Sequence, residues 1–535
     1  MATAKITPPY YPIVYVRGYA GTEGEVEDTV ADPYMGFNLG STKTRVAWKG
    51  GIVRNYFESP VIRLMKEFGY RDVYEAGEAM TTDQVIGPQS IVVYRYYDQV
   101  SAALGTGERA PIEQFGHDLG TLILDLREKI CGDDAAALKA FRIYLVAHSM
   151  GGLVVRCFLQ NTKLGADVAA RKANAEARTL VDKVFTYATP HNGIDAAIVG
   201  NVPAILTANN VNNFNRKRMA DYLALPEAQK QDSPDDVRSL NGHFDPRRFF
   251  CLVGTNARDY AAANGWSSRA VGLYSDGLVR TDNAYVNGPV PGGGQATAPR
   301  AYVYRSHSGH FGIVNAEDSY QNLVRFLFGD VLVEGVLEVD ELTLPPAVEA
   351  LRKKDREIRA SYHFEVVAGV RGGRWDLSRR LVDENSSIFR RYDELFPDTA
   401  AAPPGLTQSA RRPLLFSVYL RDAARVAKRR RSLGFGIDLR VLVPDYEVDG
   451  RLWMNDHFEG GYLFREKINL EAIPPADEKS GWGLRYGFDS RTPNRASMTA
   501  DPIPGDGKLS FRIPIEQKTK PGITGTLVLT ASPWN

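Results

Sequence analysis

Short apolar runs alternate with amphipathic stretches over the first part of the chain, from Ile13 to about Gly329. The runs are apolar nearly throughout, as is typical of strands buried on both faces. One stretch between them, Pro111 to Ile130, carries apolar residues at helical spacing and predicts a helix that covers a sheet. The alternation predicts a largely parallel sheet covered by helices, which is an α/β fold. The predicted strands are Ile13–Val16, Ile91–Tyr94, Ile143–Ala147, Val184–Tyr187, Phe249–Val253 and Tyr302–Tyr304.

After Gly329 the sequence pattern changes. A linker at Glu341 to Pro346 and a charged helical segment at Ala347 to Ala360 precede strand-like runs separated by Gly, Pro and Asp clusters. Regularly spaced short strands with turn signals favour a β-sandwich. We therefore expect an α/β domain over residues 1–332, a linker and helix over 333–360, and an all-β, sandwich-like domain over 361–535. The strand-like runs are Tyr362–Val370, Leu414–Tyr419, Ile437–Val443, Tyr462–Ile468, Leu509–Ile515 and Thr524–Leu529.

The composition is that of an ordinary folded protein. Of the 535 residues, 44% are hydrophobic and 24% are charged, and the net charge of +1 disfavours a nucleic-acid-binding protein, which needs a basic face. Residues 1–9 lack the basic start and apolar core of a secretory signal, and no tract approaches a membrane span. We therefore expect a protein that is cytoplasmic, or one that is exported without such a leader. The three cysteines lie far apart without metal-ligand spacing, which favours buried thiols.

The segment Ala147-His148-Ser149-Met150-Gly151-Gly152 follows the predicted strand Ile143–Ala147 and precedes a helical stretch, Leu153 to Gln160. A serine hydroxyl is a weak nucleophile at neutral pH, so an enzyme that uses one exposes it on a tight turn beside an imidazole base. Ser149 stands where a strand-to-helix elbow would expose it, with Ala147 in place of the first glycine of the G-x-S-x-G form. A plain helix N-cap is the alternative interpretation of this serine.

Three further segments accompany the elbow: Pro12-Ile13-Val14-Tyr15-Val16-Arg17-Gly18-Tyr19, Ala188-Thr189-Pro190-His191-Asn192-Gly193 and Ser275-Asp276-Gly277-Leu278-Val279. Together they resemble the bacterial triacylglycerol lipases and the related inositol-deacylase-like lipases of the α/β-hydrolase superfamily, over about residues 10–330. The resemblance implies an α/β-hydrolase fold and a serine ester hydrolase that needs neither a metal nor an organic cofactor. The first segment departs from the family, which has His-Gly where this chain has Arg17-Gly18.

The resemblance places an acid and then a histidine after Ser149 in the chain. Asp276 is the preferred acid because it follows the predicted strand Phe249–Val253 and matches the family's Asp-Gly-(Ile/Leu)-Val pattern. Asp259 and Asp282 are its rivals.

Two histidines, His307 and His310, follow the last predicted strand and precede a closing helix near Tyr320 to Phe328. His310 is the preferred base because it begins a His-Phe-Gly-Ile segment that resembles the region of the family's catalytic histidine. His307 stays the alternative.

The other site residues also follow from the resemblance. The backbone N–H groups of Tyr19 and Met150 are expected to form the oxyanion hole. Arg17 has either a substrate role or a structural role with a carboxylate partner. His148 and His191 lie at the wrong place in the chain order to be the base, so we expect them to shape the pocket.

Residues 192–246 separate two predicted strands by far more than the usual connection of about 2 to 6 residues. In the hydrolases that this sequence resembles, an insertion at this position covers the nucleophile. The resemblance therefore predicts a lid that controls entry of the substrate. Its apolar patch would be costly to leave in water, so it should close over an apolar pocket. A fixed helical decoration is the alternative. The patch consists of Ile198, Val199, Val202, Ile205 and Leu206.

These patterns predict a lipase-like serine hydrolase that cleaves lipid or other carboxylic esters through an acyl-enzyme. The alternatives are a phospholipase or deacylase variant, and a non-catalytic scaffold whose β-domain binds a partner or a membrane. The basic run Lys428 to Arg431 favours either peripheral contact with anionic lipid or a solvated turn, and the oligomeric state stays open. The aromatic residues of the second half are either a lipid or sugar platform or sandwich core. They include Trp375, Trp453, Trp482 and Trp534.

Overall fold

The computed structural model of the chain divides into two compact units, Met1–Leu327 and Phe328–Asn535. The division falls a few residues before the expected boundary at residue 332. The described residues are 5–18, 27–46 with gaps at 30, 33, 35–36 and 38–39, 52–73, 86–102 with a gap at 99, 110–194, 211–227, 235–260, 274–309, 311–354, 356–396 with gaps at 372 and 374, 409–424, 432–448, 456–473, 482–490, and 498–535 with gaps at 501–502 and 506–507.

The first unit alternates strands and helices. Its strands are β1 (Ile13–Val16), β2 (Ser41–Val46), β3 (Ile52–Phe57), β4 (Arg71–Asp72), β5 (Ser90–Tyr94), β6 (Ile143–His148), β7 (Val181–Tyr187), β8 (Phe249–Gly254), β9 (Asn287–Pro289), β10 (Gln295–Thr297) and β11 (Arg300–Val303). Its helices are α1 (Pro60–Phe68), α2 (Ile112–Cys131), α3 (Ala135–Ala140), α4 (Met150–Gln160), α5 (Val168–Thr179), α6 (Arg216–Tyr222) and α7 (Glu317–Phe328).

Seven strands of this unit form one parallel sheet in the order β11-β8-β7-β6-β1-β5-β4. Val14 at its centre pairs with Val92 on one side and with Leu145 on the other. All pairings in this sheet are parallel, so the carboxyl ends of all seven strands share one edge of the sheet. The predicted α/β-hydrolase fold is confirmed. Strand pairs β2–β3 and β9–β10 form two small antiparallel sheets.

The central strands carry apolar side chains on both faces because helices cover both sides of the sheet. β1 and β5 are buried along their whole lengths. On one face, the rings of Phe185 in β7 and Phe250 in β8 stack with centroids 5.1 Å apart, and Phe326 of α7 packs on Phe250 at 5.3 Å. These contacts hold α7, the last helix of the unit, against the sheet.

The second unit is mostly β-structure. Its strands are β12 (Val331–Thr343), β13 (Ile358–Val370), β14 (Ser378–Arg380), β15 (Ile388–Arg391), β16 (Leu414–Leu420), β17 (Leu433–Val448), β18 (Asp456–Ile473), β19 (Gly483–Phe488), β20 (Met498–Ala500), β21 (Ile503–Gly505), β22 (Lys508–Gln517) and β23 (Gly522–Pro533). The described part of this unit also has two short α-helices, α8 (Pro346–Arg352) and α9 (Tyr392–Leu395).

Two antiparallel sheets share one hydrophobic core in the second unit. One sheet has the order β16-β12-β23-β22-β21, and the other has the order β14-β13-β17-β18-β19-β20, with β15 also pairing with β13. Leu337 and Ile513 come from the first sheet and Tyr362 and Leu439 from the second, and all four are fully buried in this core. The expected sandwich-like, all-β architecture is therefore confirmed.

The segment expected to be a linker and helix over 333–360 is corrected by the structure. Its first third belongs to β12, a central strand that pairs with both β16 and β23. Inward-facing residues such as Leu337 and Val339 alternate with acidic ones, and the acidic residues made the segment resemble a linker. The helical part ends at Arg352 rather than at Ala360, and the last residues of the segment belong to β13, which begins at Ile358.

Candidate active site

Ser149 lies between the carboxyl end of β6 and the first residue of α4. Its backbone has φ 51° and ψ −124°, a conformation that costs a non-glycine residue roughly 1–3 kcal/mol. Two backbone hydrogen bonds hold the turn: the Ser149 N–H donates to Tyr187 O at 2.9 Å, and the Gly152 N–H donates to Ser149 O at 3.1 Å. The sharp turn is that of a nucleophile elbow rather than a plain N-cap, and the Ser149 hydroxyl makes no capping hydrogen bond to α4.

Two glycines allow the loop after β1 to lie directly on this elbow. A Cβ atom at Gly151 would lie 2.3 Å from Val16 O and 2.4 Å from Arg17 O. A Cβ atom at Gly18 would lie 2.8 Å from the Cβ of Ser149. Neither position has room for a side chain. Glycine is therefore required at both, because the backbone of the loop after β1 lies directly against the elbow.

His307 bridges Ser149 and Asp276. Its Nε2 atom lies 2.9 Å from Ser149 Oγ, and its Nδ1 atom lies 2.9 Å from Asp276 Oδ2. All three side chains are buried, with 3% of Ser149, 4% of His307 and 1% of Asp276 exposed. This serine–histidine–carboxylate chain is the arrangement that activates a serine hydroxyl in unrelated hydrolases.

The carboxylate of Asp276 is fixed by its own turn. Its Oδ1 atom accepts hydrogen bonds from the N–H groups of Leu278 at 3.0 Å and Val279 at 2.7 Å. The turn includes Tyr274 at φ 64° and Gly277 at φ 100°. Because Oδ1 is occupied by two backbone donors, Oδ2 is left for the imidazole. The carboxylate therefore holds one tautomer and one orientation of His307.

The structure corrects the choice of His310 over His307. His307 is the histidine with its ring nitrogens on Ser149 and Asp276, while His310 lies outside the described residues. The loop after β11 folds back through hydrogen bonds from Ser306 N to Phe311 O at 3.0 Å and from Ile313 N to Ser306 O at 2.9 Å. This turn sets His307 beside the acid, whose carbonyl accepts the His307 N–H at 3.0 Å.

The rival acids have other contacts. Asp259 hydrogen-bonds through its carboxylate to the side-chain amide of Asn256. Asp282 accepts a hydrogen bond from Arg238 through its backbone carbonyl at 3.1 Å. Asp276 is the carboxylate on His307.

Of the two expected oxyanion donors, one can be placed. Met150 is the first residue of α4 and is buried, and an N–H in the first turn of a helix has no partner within the helix. Tyr19 lies outside the described residues.

The three pocket candidates differ in their surroundings. Arg17 is half-buried, and its carbonyl accepts the hydroxyl of Tyr96 at 2.7 Å. His148 contacts the backbone of His307. His191 is fully buried beside Thr186, whose hydroxyl lies 3.1 Å from its Nε2 atom, and burial lowers its pKa well below the usual value. His191 is thus an interior residue, and its expected part in shaping the pocket stays a prediction.

Sequence reasoning missed Arg156, a fully buried residue of α4. Its guanidinium donates to the carbonyl of His191 at 2.7 Å and to those of Val237 at 2.8 Å and Ser239 at 3.2 Å. Burial lowers its pKa to about 10. Arg156 thus connects helix α4 to the residue before the insertion and to a segment near its end. The sequence signal was an arginine within the otherwise apolar run Leu153 to Leu159.

Only part of the insertion 192–246 is described, namely 192–194, 211–227 and 235–246. It includes α6, which begins after Asn215, whose side chain accepts from Lys217 N. The apolar patch Ile198, Val199, Val202, Ile205 and Leu206 lies outside the described residues, as do Lys428 to Arg431 and Trp453.

The described residues contain neither a candidate metal site nor a membrane-spanning helix. Within that part of the chain, no group of three or more His, Cys, Asp or Glu side chains could hold a metal ion. No helix there is long and apolar enough to cross a membrane.

Comparisons with known proteins find no matching family model and no matching curated protein. Among solved structures, the chain is similar to a lipase of Bacillus licheniformis in its mature form, with 14% identity, a TM-score of 0.32, and coverage of 60% of this chain and 94% of that one. It is also similar to the phospholipase PlaB from Legionella pneumophila, with 12% identity, a TM-score of 0.28, and coverage of 84% and 90%. Similarities this low carry no weight for function, which depends on the site's geometry.

Proposed function

We propose that this protein is a serine hydrolase that cleaves carboxylic esters, with a lipase-like choice of substrate. The observation that carries the proposal is the hydrogen-bonded chain from Ser149 through His307 to Asp276. Both hydrogen bonds are 2.9 Å long and the three groups are buried, which supports Ser149 as the nucleophile, His307 as the base and Asp276 as the acid that orients it. The motifs that resemble bacterial lipases support esters as the substrate class.

In the proposed reaction, Ser149 Oγ attacks the ester carbonyl carbon while His307 Nε2 takes its proton. The new C–O bond converts the carbonyl oxygen to an oxyanion, which the N–H of Met150 and that of Tyr19 stabilise. His307 then gives the proton to the leaving alcohol, and the acyl group stays on Ser149. Water repeats the sequence, with His307 as base, and releases the carboxylic acid. Asp276 stabilises the imidazolium in each half.

Labelling by a fluorophosphonate tests the activated serine. Wild-type protein should be labelled stoichiometrically, Ser149→Ala should not be labelled, and Ser101→Ala, at a serine buried elsewhere in the unit, should be labelled normally. Failure of the wild type to react would favour the non-catalytic scaffold. Labelling of Ser149→Ala would place the nucleophile elsewhere.

A chain-length series of p-nitrophenyl esters then defines the acyl preference. We also propose that the insertion 192–246 acts as a lid. Replacing its apolar patch with polar residues should alter the preference between long and short acyl chains while activity on the acetate ester persists. An unchanged chain-length profile in a folded variant would leave the insertion a fixed decoration.

A further inference from the structure

His148, the residue before the nucleophile, contacts the loop that carries His307. Its Nε2 atom lies 3.0 Å from the backbone carbonyl oxygen of His307, and the two ring centroids are 5.0 Å apart. The contact joins the carboxyl end of β6 to the loop after β11. These two segments supply the nucleophile and the base.

The backbone of His307 is thereby held on both sides. Its N–H donates to the carbonyl of Asp276 at 3.0 Å, and its C=O accepts from His148 at 3.0 Å. The segments that carry the acid and the nucleophile therefore both fix the peptide from which the imidazole extends. Reacting groups need such support, because a displacement of about 1 Å can cost about a hundredfold in rate.

The protonation state of His148 follows from its partner. A carbonyl oxygen only accepts, so Nε2 carries the proton and Nδ1 is left without one. Burial lowers the pKa of His148 well below its usual value, and the nearby charges of His307 and Arg17 act in the same direction, against the opposing hydrogen bond to the His307 carbonyl. His148 is thus a neutral donor, which can stay beside His307 when that residue becomes an imidazolium.

The Nδ1 side of the ring faces the loop after β1. A Cβ atom at Gly18 would lie 2.9 Å from His148 Nδ1 and 2.8 Å from the Cβ of Ser149. The imidazole therefore fills the space between the loop that follows β1 and the loop that carries the base. A ring of this size at position 148 separates the two loops.

We propose that His148 is a positioning residue of the active site, which holds His307 at its working distance from Ser149 through the Nε2–H to carbonyl hydrogen bond. The inference rests on the proposed serine hydrolase function. Its role is distinct from that of the base, because His148 acts on the backbone of His307 and not on the substrate.

Two substitutions separate the hydrogen bond from the packing. His148→Phe keeps a ring of similar size and removes the donor, whereas His148→Gln offers an amide N–H near the position of Nε2. We expect His148→Phe to lower kcat on p-nitrophenyl acetate and the rate of fluorophosphonate labelling by about tenfold to a hundredfold, with KM changed by less than about threefold. His148→Gln should recover most of both rates. His457→Phe, at a histidine of β18 whose side chain is 64% exposed, is the control and should behave as wild type.

The outcomes distinguish this inference from the proposed function. If wild-type protein is labelled and Ser149→Ala is not, but His148→Phe reacts at the wild-type rate, the positioning role is wrong while the hydrolase stands. Equal losses in the Phe and Gln variants would also overturn it, because the donor would then not be the cause. If His148→Phe does not fold, NMR of ¹⁵N-histidine-labelled wild-type protein decides: a protonated Nε2 with an unprotonated Nδ1 supports the role, and the opposite tautomer or an imidazolium at neutral pH refutes it.

Discussion

The two units bury their strands in different ways. β6 in the parallel sheet is buried at every residue except its last, whereas β17 in the second unit alternates buried and half-exposed residues along most of its length. A strand between two helical layers has no open face, while a sandwich strand has one. The parallel unit therefore has few places for polar groups within its strands. The polar side chains of the candidate site therefore lie in loops at the carboxyl ends of the strands.

The units also differ in where the backbone is strained. Among the described residues of the first unit, Ser149, Ala188 and Tyr274 adopt positive φ in the motifs that surround the site. In the second unit, the described non-glycine residues with positive φ are Asn385 and Asn535, and asparagine tolerates this conformation. The three named residues of the first unit are three of its five described non-glycine residues with positive φ, and the other two, Ala224 and Asn241, lie outside these motifs. This contrast predicts that equivalent substitutions will have unequal effects on activity in the two units.

The largest expected effect separates the two histidines of one loop. His307→Ala should lower kcat/KM for ester hydrolysis by several orders of magnitude, because it removes the only base that contacts Ser149 among the described residues. His310→Ala should stay within about tenfold of wild type, since the triad contacts belong to His307. Steady-state kinetics on one p-nitrophenyl ester would measure both. Loss of activity in His310→Ala alone would restore the original choice.

The next effect compares two glycines. Gly151→Ala would place a methyl group 2.3 Å from Val16 O, and the loop after β1 would have to move away from the elbow. We expect a loss of at least about a hundredfold in kcat/KM, following the cost of small misplacements at an active site. Gly461→Ala in β18 has nothing within 4 Å of the added Cβ and should leave both activity and stability unchanged. A fully active Gly151→Ala would contradict the close approach of these two loops.

Sequence patterns predicted about half of the described strands, including six of the seven in the parallel sheet, and left certain loops undecided. Apolar runs located β1 and β6 within a residue, because a strand buried on both faces is apolar at nearly every position. In the second unit, the runs identified only the centres of longer strands such as β18, whose ends carry polar residues on an open face. β12, a central strand, was not predicted for the same reason, because its acidic residues lie on the open face.

The sequence predicted which loops carry the residues of the candidate site, but not which histidine of one loop contacts Ser149. Ser149 and Asp276 were chosen from motifs whose spacing is set by tight turns, and the structure brings both to one imidazole. The choice between His307 and His310 depended on how a loop without regular structure folds back at Ser306. The sequence contains no periodic pattern that indicates such a fold. Arg156 was missed and the full burial of His191 was not foreseen, because burial in a loop or within a helix depends on tertiary packing.

A matched pair of core leucines tests whether stability and activity are separable between the units. Leu145 in β6 and Leu439 in β17 are both fully buried. Truncation of either to alanine should cost about 2–5 kcal/mol of unfolding free energy in urea titrations. Only Leu145→Ala should also reduce the labelling rate of the folded protein, because β6 leads directly into Ser149. Equal effects on the labelling rate would mean that the second unit also shapes the site.

The smallest expected effect concerns Lys183, a fully buried lysine of β7 far in sequence from the triad. Its ammonium group donates to the carbonyls of Leu327 at 2.9 Å and Phe326 at 3.3 Å, at the end of α7. Burial lowers its pKa to about 7, partly offset by Asp182, whereas an unfolded chain keeps a lysine protonated up to about pH 10.4. Between these values the unfolded state binds more protons, so stability should rise with pH in that window, by at most about 1.4 kcal/mol per pH unit.

Lys183→Met should flatten this rise, and Lys353→Met, at a side chain 72% exposed in the second unit, should not. If urea titrations from pH 7.5 to about 9.5 give parallel curves for Lys183→Met and wild type, then Lys183 keeps its proton in the folded protein, and its hydrogen bonds to α7 outweigh the cost of burying the charge.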